Sequence, residues 1–393
     1  MSRTILPDPP AHLKRLSETL SGRIRAEIRE SGMIPFSRYM ERALYEPGLG
    51  YYSAGLHKLG ATGDFVTAPE IGELFAACLG RQVMEVAALL GSYDILEVGA
   101  GSGRLAAGLL RLLGAENPPG RYLILETSAD LRRVQDEHIA AAAPAWHDRV
   151  TWLDAPPAED WSGVLLANEV VDALAVERFR LGPGGLEQVC VTERDEGLGW
   201  AYRPAPPELE DAVRQVAAHL YRDLGEGYRS EIRPALAPWL CGLTEYLGRG
   251  LALFIDYGYP RSEFYLPERR DGTLMCHYRH RAHGDAFFWP GLQDITAWVD
   301  FTALAEAADA CGLEVVGYSS QAMFLLGCGL DRILAEEMAG RPDGGLSVSA
   351  EARQLTLPGM MGERFQVMGL GRGLDTEDAP LCGFSQQDLR YRL

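Results

Sequence analysis

The residues whose types and spacing suit chemistry gather first in Glu97-Val98-Gly99-Ala100-Gly101-Ser102-Gly103, a carboxylate followed by three glycines at alternate positions. Glycine tolerates positive φ and lets a ligand approach the backbone, and a helix starting beyond such a turn offers unpaired N–H groups. The spacing is GxGxG. Dinucleotide sites use GxGxxG, and a P-loop closes with Lys-Ser or Lys-Thr, neither of which occurs here. Glu97 stands two positions before the first glycine, where a carboxylate suits an ammonium group better than a pyrophosphate. Glu126 ends a second apolar run, residues 121–125, at a point suited to accept hydrogen bonds from both hydroxyls of a ribose. Asp154 ends a third run and is within reach of an adenine edge. Asn168 and Glu169 end a fourth, residues 163–167, with Asp172 just beyond, and Asp256 ends a fifth, residues 251–255. A glycine turn that binds nothing, or an acid that merely precedes a helix N-terminus, is the structural alternative for each alone. Their agreement favours a ligand.

These side chains need a sheet to carry them. The apolar stretch at 93–98, the glycine turn and the leucines at helical spacing through Leu113 predict strand, turn and helix. Strands are expected again at 121–126, 149–154, 163–169 and 251–259, with short ones at 313–316 and 365–368. In an open parallel sheet the carboxyl ends of the strands form the ligand crevice, so the tip of the fourth strand faces the reacting group.

Residues 11–46 read helical, with Pro35 and Pro47-Gly48 as punctuation. The loop 62–70, which carries Asp64, precedes an amphipathic helix running into the first strand, and is expected to fold back across the ligand. Residues 176–250 read as an insertion: a hairpin about Gly182-Pro183-Gly184-Gly185, pairing by Trp200-Ala201-Tyr202, a helix at 209–220, the run 227–232 and a further helix to 247. The expected division is therefore 1–90, a helical region covering the site; 91–175, the first part of the core; 176–250, the insertion; 251–372, the rest of the core; and 373–393, a peripheral tail. His277, His280 and His283 recur at steps of three, which on a helix would align imidazoles. Without an acid or thiol spaced to complete a site, no metal is expected.

The chain has 393 residues, 47% hydrophobic, enough for a large core or for two to three domains. Its formal net charge of −18 and the absence of any basic block argue against a grip on nucleic acid. No run of eighteen apolar residues suggests a membrane span, and the first ten residues lack the apolar segment of a secretory signal. Seven scattered cysteines without a CxxC pair read as reduced thiols of a cytoplasmic protein.

The acid-plus-glycine turn resembles the first motif of class I S-adenosylmethionine-dependent methyltransferases. Further stretches join it: Gly63-Asp64-Phe65 with Thr67 and Pro69-Glu70, Ala167-Asn168-Glu169 with Asp172-Ala173-Leu174, Ile255-Asp256-Tyr257-Gly258, Tyr278-Arg279-His280-Arg281, Asp294-Ile295-Thr296, and Met361-Gly362 with Phe365. Together, over about residues 35–370, they resemble the MidA-like proteins, methyltransferases whose mitochondrial members methylate an arginine on a respiratory complex I subunit. The departures are Val170-Val171, where the family commonly has phenylalanine, and the wording of Met275-Cys276-His277.

The resemblance implies an α/β fold: a Rossmann-like seven-stranded sheet with a helical N-terminal region and an inserted subdomain. It implies S-adenosyl-L-methionine as cofactor and a protein arginine as acceptor. Asp64, Glu97, Gly99, Gly101, Gly103, Glu126, Asp154 and Asn168 are then expected at the cofactor. A guanidinium is planar and always charged, and carboxylates that grip two of its N–H groups leave the third nitrogen to attack. Glu169 and Asp172 are the expected carboxylates, with Glu231 and Asp256 as partners and His280 as an orienter. The alternatives are a cofactor-binding assembly factor with little turnover and a small-molecule O- or N-methyltransferase. Glycine spacing opposes a dinucleotide oxidoreductase.

Overall fold

The computed structural model describes residues 6–55, 67–195, 197–339, 341, 343–376 and 379–393. The chain divides into two compact units, one of residues 1–65, 172–235 and 261–298, the other of 66–171, 236–260 and 299–393.

The larger unit is built on β1 (Asp94–Val98), β2 (Tyr122–Leu125), β3 (Val150–Leu153), β4 (Trp161–Asn168), β5 (Leu247–Tyr259), β6 (Glu314–Ser320) and β7 (Phe365–Arg372). They hydrogen-bond in the order β6-β7-β5-β4-β1-β2-β3. Only β7 runs antiparallel to its neighbours; β1 to β5 are parallel throughout. The strands read as unbroken apolar runs because helices cover a parallel sheet on both faces. Seven strands are expected, and an eighth is added: Val299–Asp300 pairs in parallel with the end of β5.

Helix α1 (Leu74–Leu90) ends at Gly91 with φ 80°. Its buried Leu79, Val83 and Val86 pack with Leu109 of α2 (Arg104–Glu116) and with Ile95, Ile124, Val164 and Leu253 of the sheet. Residues 74–90 therefore belong to the core of this unit, because their apolar face is buried there, and not to a separate N-terminal region. Helix α3 (Ala129–Ala142) follows β2 and is capped by the Ser128 hydroxyl, which accepts from Leu131 N–H.

Two expectations are corrected in this unit. The C-terminal residues are not peripheral: Leu381 and Phe384 are each 2% exposed, and Leu389 N–H donates to Tyr318 C=O at 2.6 Å. Nor are all seven thiols free. The helices Leu236–Thr244 and Phe301–Ala310 bring Cys241 and Cys311 to a Cα separation of 5.0 Å, and the two form a disulfide. Cys78, Cys190, Cys276 and Cys328 are free and buried, and Cys382 is free and half-buried.

In the smaller unit the helical stretch at 11–46 is two helices, Ala11–Ser31 and Phe36–Tyr45, interrupted at Gly32 (φ 79°) and by the short strand Ile34–Pro35. The hairpin forms as expected, with Gly182 opposite Gly185, and Trp200, Ala201 and Tyr202 pair with Val191, Cys190 and Val189. The next helix is Pro207–Ala218, begun by a proline in its first turn. Residues 261–298, expected in the core, lie here, where Met275–Tyr278 pairs with both Arg281–His283 and Asp294–Thr296. No helix among the described residues is long and apolar enough to cross a membrane.

Candidate cofactor and active site

The glycine loop opens where β1 stops. Gly99, Gly101 and Gly103 have φ of 65°, 57° and 82°, conformations that L side chains rarely adopt. A Cβ on Gly103 would also stand 3.1 Å from Gln135 Cα, a tight contact that the helix beneath could admit only by shifting a few tenths of an ångström. Gly99 N–H donates to Leu125 C=O at 3.1 Å, which ties the loop to β2.

The strand order sets the tips of β5, β4, β1, β2 and β3 side by side, and with them Asp256, Asn168 and Glu169, the glycine loop, Glu126 and Asp154. Glu126 is 9% exposed. Its Oε1 accepts from Ser128 N–H at 2.8 Å and its Oε2 from Gln135 Nε2 at 3.2 Å. The same Gln135 amide donates to Gly101 C=O at 3.1 Å, and its oxygen accepts from Trp152 Nε1 at 2.9 Å. Gln135, fully buried on α3, thus joins the glycine loop, the β2 acid and β3. Sequence reasoning missed it, since a glutamine in mid-helix carries no motif. Asp154 is exposed and paired with Arg132 at 2.7 Å.

Glu97 lies deeper than expected. It is 4% exposed and accepts from the Tyr122 hydroxyl at 2.6 Å. Burial pushes its carboxyl up to about 7, against the opposing pull of that hydrogen bond. A different acid reaches the loop. Ser102 Oγ donates to Glu70 Oε1, and Arg104 Nε donates to Pro69 C=O at 3.2 Å, so the helix Ala68–Ile71 is fastened to the loop. Asp64 lies outside the described residues.

At the tip of β4, Glu169 has φ 54°, a left-handed conformation uncommon for a residue with a side chain and frequent at functional sites. Glu169 N–H donates to Ile255 C=O at 2.8 Å, and its Oε1 accepts from Asn168 Nδ2 at 3.3 Å. Asn168 Oδ1 is buried with no hydrogen-bond partner among the described residues. Asp256, 1% exposed, uses Oδ2 to accept from Val171 N–H at 3.0 Å and Oδ1 to accept from Tyr257 N–H at 2.9 Å. It therefore holds the loop that follows Glu169.

The smaller unit holds the remaining candidates. Asp172 is buried, and its carbonyl accepts from Ala297 N–H at 3.1 Å and Arg233 Nη2 at 3.2 Å. Glu231 is buried in an ion pair with Arg178 at 2.9 Å and accepts from Thr273 N–H at 2.8 Å, so its carboxylate is committed inside the fold. His280 is exposed at a tight hairpin turn, with Arg279 and His280 at φ 48° and 58°. The turn corrects the idea of a helical histidine face: His277 and His283 lie on opposite strands of that hairpin. Both imidazoles are pushed down by burial. Among the described residues no group of His, Cys, Asp and Glu is arranged to hold a metal ion.

The strand order with its single antiparallel β7, and an acid at the tip of β2 beside a three-glycine turn, define an α/β fold of the S-adenosylmethionine-dependent methyltransferase class. A family model described as "Putative S-adenosyl-L-methionine-dependent methyltransferase" matches residues 78–319. The chain belongs to this family, and it is a methyltransferase that uses S-adenosyl-L-methionine. A crystal structure from Burkholderia thailandensis, a "likely methyl transferase" bound to S-adenosyl-homocysteine, is 42% identical. The match covers 99% of this chain and all of that one, with a TM-score of 0.92. The Drosophila melanogaster protein arginine methyltransferase NDUFAF7 homolog, mitochondrial, is 27% identical over 93% of this chain and 89% of its own. The Homo sapiens protein arginine methyltransferase NDUFAF7, mitochondrial, is 26% identical over 88% and 81%. The Drosophila and human proteins are named as mitochondrial, which overturns the cytoplasmic placement expected above.

The residues present fit the cofactor. The loop has the backbone freedom that a close-lying ligand requires, Glu126 is held at the tip of β2, and the orphaned Asn168 Oδ1 offers an acceptor at the tip of β4.

Proposed function

We propose that the protein methylates an arginine side chain of a protein substrate, and that the substrate is of the respiratory complex I subunit type. The observation that carries the reading is Glu169, a carboxylate in a left-handed backbone conformation at the tip of the central strand β4. The arginine methyltransferase names of the relatives support it.

The donor supplies a methyl carbon on a cationic sulfur, open to in-line attack. The chain's own residues do the rest. Glu169 grips two guanidinium N–H groups, draws the positive charge toward those nitrogens and leaves the third to attack the methyl carbon; the carbon–sulfur bond breaks, the neutral thioether S-adenosyl-L-homocysteine leaves, and the attacking nitrogen gives up one proton to solvent. Asp256 does not touch the substrate in this account. It fixes the backbone at Val171, and so the direction in which Glu169 points. Gly99, Gly101 and Gly103 take the donor along the backbone, with Glu126 on the ribose, Asn168 beside it and Asp154 toward the adenine edge. Glu231, held by Arg178 and Thr273, serves the fold of its own unit.

The test is transfer from methyl-labelled S-adenosyl-L-methionine into proteins of a cell extract, followed by hydrolysis. Label in methylarginine, on a complex I subunit identified by mass spectrometry, is the expected outcome. Label confined to other amino acids or to small metabolites contradicts the proposal.

A further inference from the structure

The donor carries a free amino-acid end, and an ammonium group that leaves bulk water at a protein surface needs an anionic partner. Glu97 has the expected sequence position, but its carboxylate is 4% exposed and turned to the Tyr122 hydroxyl. Burial also favours its uncharged form.

Glu70 is differently placed. It is partly exposed, and its carboxylate accepts from the hydroxyl of Ser102, which stands between Gly101 and Gly103 in the loop itself. The segment that carries it is anchored twice over. Arg104 Nε holds Pro69 C=O at 3.2 Å, and Ala68 is fully buried in the core of the same unit. The Ser102 contact occupies one carboxylate oxygen and orients the other.

We infer that Glu70 is the carboxylate that binds the ammonium group of the donor, with Ser102 as the residue that positions it. The inference rests on the reading of the glycine loop as the cofactor site. It assigns the recognition of the amino-acid end to the segment 67–71, and leaves Glu97 as a buried acid beneath the loop.

Two ligands separate the parts of the cofactor: S-adenosyl-L-homocysteine has the amino-acid end, and 5′-methylthioadenosine lacks it. Titration calorimetry on the full chain should give a Glu70→Gln variant that binds S-adenosyl-L-homocysteine about tenfold or more weakly, as expected for loss of a hydrogen-bonded ion pair. The same variant should bind 5′-methylthioadenosine within about twofold of the parent. Equal weakening of both ligands, or no weakening of either, overturns the assignment. So does a Glu97→Gln variant that shows the selective loss while Glu70→Gln does not. If Glu70→Gln lowers the unfolding midpoint, Ser102→Ala replaces it, because it keeps the charge and removes only its holder. Selective weakening of S-adenosyl-L-homocysteine then supports the inference, and unchanged affinity for both ligands overturns it. A parent protein that binds neither ligand overturns the cofactor reading itself, an outcome distinct from all of these.

Discussion

Glu97 shows how a residue's role depends on depth as well as position. An acid before a glycine turn reads as a ligand contact, yet a strand alternates its side chains, and this one faces Tyr122 inside the sheet. Its carboxyl is raised to about 7, from 4.5 in the unfolded chain. A raised acid contributes stability that is fully present below its unfolded pKa and is lost as pH rises through the folded one, because the unfolded chain ionises first. Between about pH 4.5 and pH 7 the parent should therefore lose stability relative to a Glu97→Gln variant, by on the order of 3 kcal/mol. Denaturant unfolding of both proteins at pH 5 and pH 8 measures this, and parallel curves at the two pH values would contradict it. Glu169 is the opposite case: its type and place were legible, but its left-handed φ was not, since no local rule assigns φ 54° to a glutamate.

At the scale of elements, the strands and the turn were readable because unbroken apolar runs ending in acids and glycines leave few alternatives. What the sequence did not disclose is how the elements are fastened. Gln135 spans from α3 to the loop, to Glu126 and to Trp152 on β3, a set of contacts with no pattern along the chain. Gln135→Leu removes these bonds and leaves the half-buried Gly101 carbonyl, a Glu126 carboxylate oxygen and the Trp152 N–H without this partner. We expect a loss of about 2–3 kcal/mol in unfolding free energy, together with weaker binding of S-adenosyl-L-homocysteine. Unfolding curves and calorimetry on the same preparation check both; unchanged affinity would mean that the Gln135 bonds hold the fold alone. The histidines at 277, 280 and 283 erred the other way. A step of three fits a helix, but positive φ at Arg279 and His280 turns the chain back on itself.

On the scale of the whole molecule, the chain crosses between its two units five times: after residues 65, 171, 235, 260 and 298. Long-range pairing within each unit, and not composition along the chain, sets these crossings: Ile34 pairs with Val191 in one unit, and Phe254 with Met368 in the other. The C-terminal residues show the same limit. Their acids at Asp375, Glu377 and Asp378 suggest solvent, while Leu381 and Phe384, only a few positions on, are buried in the core. Phe384→Ala should therefore cost about 3–5 kcal/mol, read as a lower denaturant midpoint; an unchanged midpoint would return these residues to the periphery. The disulfide likewise required the fold, since seventy residues separate Cys241 from Cys311. The role proposed for Glu169 lies in the transfer and not in donor binding. The most direct measurement compares the parent with Glu169→Gln, reading labelled methylarginine on a protein substrate and S-adenosyl-L-homocysteine affinity by calorimetry. The predicted result is transfer reduced about a hundredfold or more with affinity within about twofold; transfer at the parent rate would contradict it.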